Sequence, residues 1–332
     1  MLTYILRRML WMVPTLFGIT ILIFCIMRLA PGDPAALLVS DVTGSGVGSE
    51  AGVQAAIEKF HEKWGLNKPL PVQYWIWIKN FAVLDFGDEF SRPGVAISDE
   101  LWRRLGVTLP LTLISVLLSY LLALPLGILS AVKQGSWADK LTTGMLFMLY
   151  SLPTFWAGLM LILAFGASGL DWLPILGLHD KDAHLMGTWE YIWDAILHGI
   201  LPVATLTYGG LAYLSRQMRV GMLEIVRQDF IRTARAKGLS EKVVVMKHAL
   251  RNSLIPGITV FAQILPVLIG GSVIVETVFS IPGMGRYAFE AMIKRDYNVV
   301  MATTTFSAMM TMAGVLLSDI LYAVVDPRIS YE

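Results

Sequence analysis

The chain is 332 residues long, 55% hydrophobic and 15% charged, with a formal net charge of +1 and a mean hydropathy of +0.63. Soluble domains carry about 25% charged residues. Here the charges fall between long apolar runs, which excludes an ordinary soluble enzyme. The near-zero balance excludes a global bias toward nucleic acid, and the single cysteine, Cys25, excludes an intrachain disulfide and a cysteine-based metal site.

Six segments reach or approach the roughly 20 apolar residues that cross a bilayer, at 10–30, 106–132, 141–166, 197–215, 254–275 and 301–325. The first is read as a retained span rather than a signal peptide, because its apolar run is long and no small-x-small site precedes Pro31. Ala30-Pro-Gly-Asp-Pro34 ends it, since two prolines cannot continue a helix. The stretch 31–105 then reads as a small cap, with helices expected at about 53–64 and 71–83. It is too short to bury a large core alone. Tyr74, Trp75 and Trp77 on its second helix suit a membrane interface.

The fourth segment is the weakest, being short and holding Gly199, Pro202, Gly209 and Gly210. Further breakers are Pro110, Pro125, Pro153, Pro256, Pro266 and Gly270-Gly271. They fit either a polar passage that changes shape or kinked packing, both of which spanning helices tolerate. With the N-terminus inside, short inner segments hold fourteen Lys and Arg, from Arg7 to Arg328, against four in the short outer loops (Lys181, Arg286, Lys294 and Arg295), the 31–105 stretch being left out because long loops cross largely regardless of charge. That bias places both termini in the cytoplasm.

The longest inner loop, 218–254, reads as helix, glycine turn, helix. Val226, Phe230 and Ala234 form a stripe along Glu224–Lys237. Gly238 can take a left-handed conformation, and Ser240 can cap a second helix over Glu241–Arg251. Ala234, Ala236 and Gly238 would form a small-residue patch suited to a partner, and the arginines equally suit anionic lipid. Asp319 lies within the last span, where a charge is costly; it is expected to pair with Arg216 or Arg219. Glu276, Arg286 and Asp296 are expected at the outer mouth, facing a soluble partner or solvent. His179 and His184 are read as solvated loop histidines. No G-x-x-x-x-G-K-[ST] pattern occurs, and His61-Glu62 lacks a second histidine at the metalloprotease spacing.

Asp229-Phe-Ile-Arg-Thr-Ala-Arg-Ala-Lys-Gly-Leu239, followed by His248-Ala-Leu-Arg-Asn252, resembles the coupling loop of ATP-binding-cassette importer permeases of the dipeptide/oligopeptide/nickel branch. Pro14-Thr-Leu-Phe-Gly-Ile-Thr20, Asn67-Lys-Pro-Leu-Pro-Val-Gln-Tyr74, Glu276-Thr-Val-Phe-Ser-Ile-Pro-Gly-Met-Gly-Arg286 and Arg295-Asp-Tyr297 resemble other parts of the first permease of such pairs. Arg232 stands where the wider family has an acidic residue, so no glutamate contact is carried over.

The resemblance implies an all-α integral membrane protein with the type I ABC importer permease fold, six transmembrane helices and a small extracytoplasmic insertion after the first. The division is 1–30, a 31–105 cap, and a 106–332 core. It implies half of a pore for di- or oligopeptides in the bacterial inner membrane; nickel, glutathione or an oligosaccharide are the other cargoes, and a secondary transporter is the rival class. Implied partners are a second permease, two cytoplasmic ATP-binding subunits and an extracytoplasmic binding protein. Implied contacts to the ATPase are Asp229, Phe230, Arg232, Thr233, Ala234, Arg235, Ala236, Gly238 and Leu239. Those to the binding protein are Glu276, Pro282, Gly283, Gly285, Arg286, Arg295 and Asp296. No catalytic, cofactor or metal residue is implied in this chain; ATP and Mg would sit on the partner ATPases.

Overall fold

The computed structural model of the chain describes residues 2–36, 50–166, 169–250, 253 and 271–325. Their regular structure is helical, apart from a single bridge between Asp88 and Ala96. Four helices are long and apolar enough to cross a membrane. They belong to α1 (Leu2–Leu29), α4 (Ile97–Val132), α7 (Thr188–Val226) and α12 (Tyr297–Val325). A further pair, α5 (Trp137–Ser151) and α6 (Thr154–Phe165), is long and apolar enough only together and is bent by 98°.

The 141–166 run is therefore not one straight span. Leu152 is extended (ψ 128°) because it precedes Pro153, whose ring disfavours a helical conformation in the residue before it. Of the expected fifth span, residues 254–270 lie outside the described residues, and with them Pro256, Pro266 and Gly270. The fourth segment, expected to be the weakest, lies inside the 39-residue α7. Its breakers are absorbed by packing against α4. Ser119 donates to the Thr207 carbonyl at 2.9 Å, and Ser115 donates to the Val203 carbonyl at 3.5 Å. Gly127 lets the two helices approach closely: a β-carbon there would lie 2.7 Å from the Ser215 carbonyl and from the Met218 side chain. Pro110, Pro125 and Pro202 all sit within unbroken helices.

At one end of the bundle lies the cap, with α2 (Glu50–Trp64) and α3 (Leu70–Phe81) joined by a turn at Gly65. Buried Gln73 fixes that turn by donating to the carbonyls of Leu66 and Lys68 at 3.0 and 2.7 Å. Trp75 is exposed, and Tyr74 and Trp77 pack on Phe24 of α1. Among the described residues, Phe60, Trp64 and buried Phe90 form a small aromatic cluster within the cap. Phe81 and Phe86 are buried with Ile97, Leu101, Met284, Tyr287, Val299 and Phe306, so its interior is shared with α4, α11 (Met284–Ile293) and α12. Burial of each large side chain contributes about 1.5–3 kcal/mol.

Candidate functional site

The end of the bundle opposite the cap carries the loop singled out by sequence. α7 stops at Val226, and Gln228 is extended (φ −77°, ψ 154°), so Glu224–Lys237 is not one helix. A separate eight-residue helix, α8 (Asp229–Ala236), follows. Its buried stripe is Ile231 and Ala234, three residues apart, packed with Met218, Met222, Val244, Val245 and Ala249. The expected stripe is corrected by the break at Gln228. It resets the helical phase, turning Phe230 outward and Ala234 inward.

Exposed on α8 and its end are Asp229, Phe230, Arg232, Thr233, Arg235, Ala236, Gly238 and Leu239. Of the small-residue patch, only Ala236 and Gly238 face outward. Gly238 does take the left-handed conformation (φ +76°), and the Leu239 N–H reaches back to the Ala234 carbonyl at 3.4 Å. Arg235 bridges the turn to Glu241 with a forked pair at 2.6 and 3.1 Å. The guanidinium holds the Glu241 carboxyl below its ordinary range. Ser240 stands at the start of α9 (Glu241–Val243) but its side chain makes no capping bond. The helix then widens into a π-helical segment over Val244–Ala249. Arg251, Asn252 and Leu254 lie outside the described residues.

Nearby charges are paired differently from the expectation. Asp319 meets Arg8 of α1 at 2.9 Å, not Arg216 or Arg219. The first and last spans lie side by side, which local spacing does not reveal. Arg219 instead pairs at 3.1 Å with buried Asp139, which also accepts hydrogen bonds from Ser130 and from the Gly135 N–H. Asp139 thereby ties α4, α5 and α7 together. Sequence reasoning missed it because its partner lies 80 residues away.

At the cap end, the residues expected on the outer surface divide. Pro282, Arg286 and Arg295 retain exposure. Glu276, Gly283, Gly285 and Asp296 are buried, which corrects their placement as surface groups. Glu276, on α10 (Val273–Val278), accepts from Thr108 Oγ1 at 2.9 Å and from the Arg286 N–H at 2.8 Å. Asp296 accepts from the N–H groups of Ser91 at 2.8 Å and Val299 at 3.2 Å. Each is roofed by backbone donors that a charge count does not foresee. Burial pushes the Asp296 carboxyl upward despite these bonds. His179 is not a solvated loop residue either. Its ring stacks on Tyr191 at 3.9 Å, and Nδ1 lies 2.9 Å from Asp194 Oδ2. His184 is exposed as expected.

Comparison with known proteins gives this geometry a family. Residues 123–331 match the binding-protein-dependent transport system inner membrane component, and residues 1–112 match the N-terminal region of such membrane components. The oligopeptide transport system permease protein AppB of Bacillus subtilis is 43% identical over 331 residues, with 100% of each chain covered. The dipeptide transport system permease protein DppB of Alkalihalophilus pseudofirmus is 38% identical, and the glutathione transport system permease protein GsiC of Escherichia coli strain K12 is 36% identical, again with 100% of each chain covered. Among solved structures, a chain from the inward-facing MetNI methionine ABC transporter superposes with a TM-score of 0.50 at 18% identity, covering 68% of this chain and 96% of that one. The fold is that of a type I ABC importer permease, and the chain belongs to the family of binding-protein-dependent transport system inner membrane components.

Proposed function

We infer that this chain forms half of the translocation pore of an ATP-driven importer for di- or oligopeptides. The observation that carries the reading is α8, a short helix anchored on its inner side by Ile231 and Ala234 and exposed on its outer side. A rigid, partner-sized element held at the end of long helices is what a transmitter of force requires. The full-length relatives support peptide cargo, being named for oligopeptide, dipeptide, di/tripeptide and glutathione transport. The Lys and Arg bias supports cytoplasmic termini, and with them α8 on the cytoplasmic side.

In this reading a homologous permease completes the pore, two ATP-binding subunits grip the α8 surfaces, and a binding protein delivers peptide at the cap end. Hydrolysis belongs to the ATP-binding subunits, with their ATP and Mg. ATP-driven closure pulls on α8. Ile231, Ala234 and the Arg235–Glu241 bridge pass that displacement to α7 and to the helix after Gly238. At the cap end, Arg286, Arg295 and Pro282 are the accessible contacts for the binding protein.

The test is reconstitution of the chain with its partner permease and ATPases in lipid nanodiscs. Hydrolysis is expected to rise when peptide-loaded binding protein is added. Gly238→Pro should abolish that rise, because proline cannot adopt φ +76°. Hydrolysis indifferent to the loop, or no association with any ATPase, would overturn the reading.

A further inference from the structure

Where the loop 178–186 meets the first turns of α7, two carboxylates and an imidazole converge that neither the helix packing nor the importer reading employs. Asp180 is on the loop, with a side chain 67% exposed; Asp194 and His198 sit one turn apart on α7, with side chains 9% and 2% exposed. One ligating atom from each of the three lies within 4.8 Å of the others.

The proton on His198 can be placed by its neighbours. Nδ1 lies 2.9 Å from the Asp194 carbonyl oxygen and 3.1 Å from Asp194 Oδ1. Both are acceptors, so Nδ1 carries the hydrogen, and in the neutral ring Nε2 carries the lone pair. Nε2 faces Asp180 Oδ1 at 3.7 Å, a second acceptor across a gap too long for a hydrogen bond. Two acceptors in that relation leave a gap that a cation can fill. Metal–nitrogen and metal–oxygen bonds are about 2.0–2.2 Å, so two ligands of one ion stand at most ~4.3 Å apart; the 3.7 Å between Nε2 and Asp180 Oδ1 falls inside that limit, and the three-donor group, within 4.8 Å, needs a small side-chain shift to close on one ion. An imidazole whose other nitrogen is held by a backbone carbonyl is also in the orientation that metal-bound histidines adopt.

The surroundings fix two of the three donors. Asp194 Oδ2 lies 2.9 Å from His179 Nδ1 and accepts from the Asp180 N–H at 3.1 Å, and the His179 ring is braced on Tyr191. Asp180 is the exposed arm, able to close the remaining distance.

We propose that His198 Nε2, Asp180 and Asp194 form a site for a divalent transition cation of the zinc type at the cap end of the bundle. One imidazole with two carboxylates suits zinc, cobalt or nickel; calcium and magnesium take oxygen ligands alone. The bound ion pins the 178–186 loop to α7. The Gly177 N–H already donates to the Phe279 carbonyl at 2.8 Å, so the ion also stiffens the link to the 271–286 segment.

The test uses the full chain without a polyhistidine tag, stripped by chelator in detergent and titrated with Zn²⁺ alone by calorimetry. Hydrogen exchange is followed over 178–186. One equivalent is expected to bind and to protect the loop. Asp180→Asn, at an exposed position that leaves the packing intact, is expected to weaken binding at least about tenfold. The absence of saturable binding would overturn the proposal. Binding unchanged in Asp180→Asn, or lost instead in His184→Ala, would assign the ion to a surface site and overturn it equally.

Discussion

The cap end of the bundle and the α8 loop handle charge in opposite ways. At the cap end, Glu89, Glu100, Glu276 and Asp296 are all buried; Glu89, Glu276 and Asp296 accept from hydroxyls or backbone N–H groups far away in sequence, and Glu100 from Arg103 and Arg104 of its own helix. At the other end, Asp229, Arg232, Arg235 and Glu241 stand on the surface and pair only with close neighbours in sequence. Surface pairs are worth about 0–1 kcal/mol, whereas breaking a buried charged network costs several. The cap end is thus held by interior polar bonds, and α8 itself by a small apolar anchor with its charges left on the surface.

The glycines expose the same contrast and give its largest test. A β-carbon at Gly283 would fall 2.5 and 2.6 Å from the two Glu276 carboxylate oxygens, which Thr108 and Arg286 hold in place. Gly283→Ala is therefore expected to cost about 3 kcal/mol, the upper range for overpacking, measured by denaturant unfolding in detergent. A loss below about 1 kcal/mol would show that Glu276 can move and that the cap end is less rigid than its bonding implies.

Asp296→Asn tests the buried carboxylates with a smaller effect. An amide presents only one acceptor oxygen where Ser91 and Val299 both donate, so a loss of about 2 kcal/mol is expected. The pH dependence has a definite sign. Burial raises the folded carboxyl above its unfolded value, so the native state takes up the proton first. Stability then increases as pH falls from neutrality toward the unfolded value near ~3.9. The gap between wild type and Asp296→Asn should widen on acidification, as read by melting temperature; a constant gap would remove burial as the cause.

The smallest change is expected at the opposite end. Nothing lies within 4 Å of a β-carbon built on Gly238, so only its φ of +76° opposes a side chain. Gly238→Ala should cost about 1 kcal/mol of stability. A loss comparable with Gly283→Ala would mean that the α8 turn is as tightly packed as the cap.

Much of this arrangement can be read from the chain, and the failures share a cause. Apolar run length locates α1, α4, α7 and α12, and a glycine after a helical stretch locates the end of α8. Hydropathy does not report direction, so the 98° bend at Pro153 is invisible in an apolar run that continues through it. Charge type does not report partners either. Asp319 meets Arg8 across 311 positions of sequence, and Asp296 is buried because Ser91 and Val299 supply its donors. The position of α8 was legible since its pattern is local, but its inward face was not, because the break at Gln228 resets the helical phase. The His198 cluster was not, since Asp180 reaches Asp194 and His198 only through the fold of the 178–186 loop.

The shared interior of the cap sets an order for biogenesis. Ser91 waits for Asp296, 205 residues downstream, and Glu89 waits for Tyr287, 198 residues downstream. At a synthesis rate of about 5–20 residues per second, that interval is roughly 10–40 s. Through it the newly made cap keeps Phe81 and Phe86 without the Met284, Val299 and Phe306 surface that will enclose them. Completion of the cap's interior therefore waits for synthesis of α12, and a ribosome that stalls before residue 306 leaves that interior unfinished.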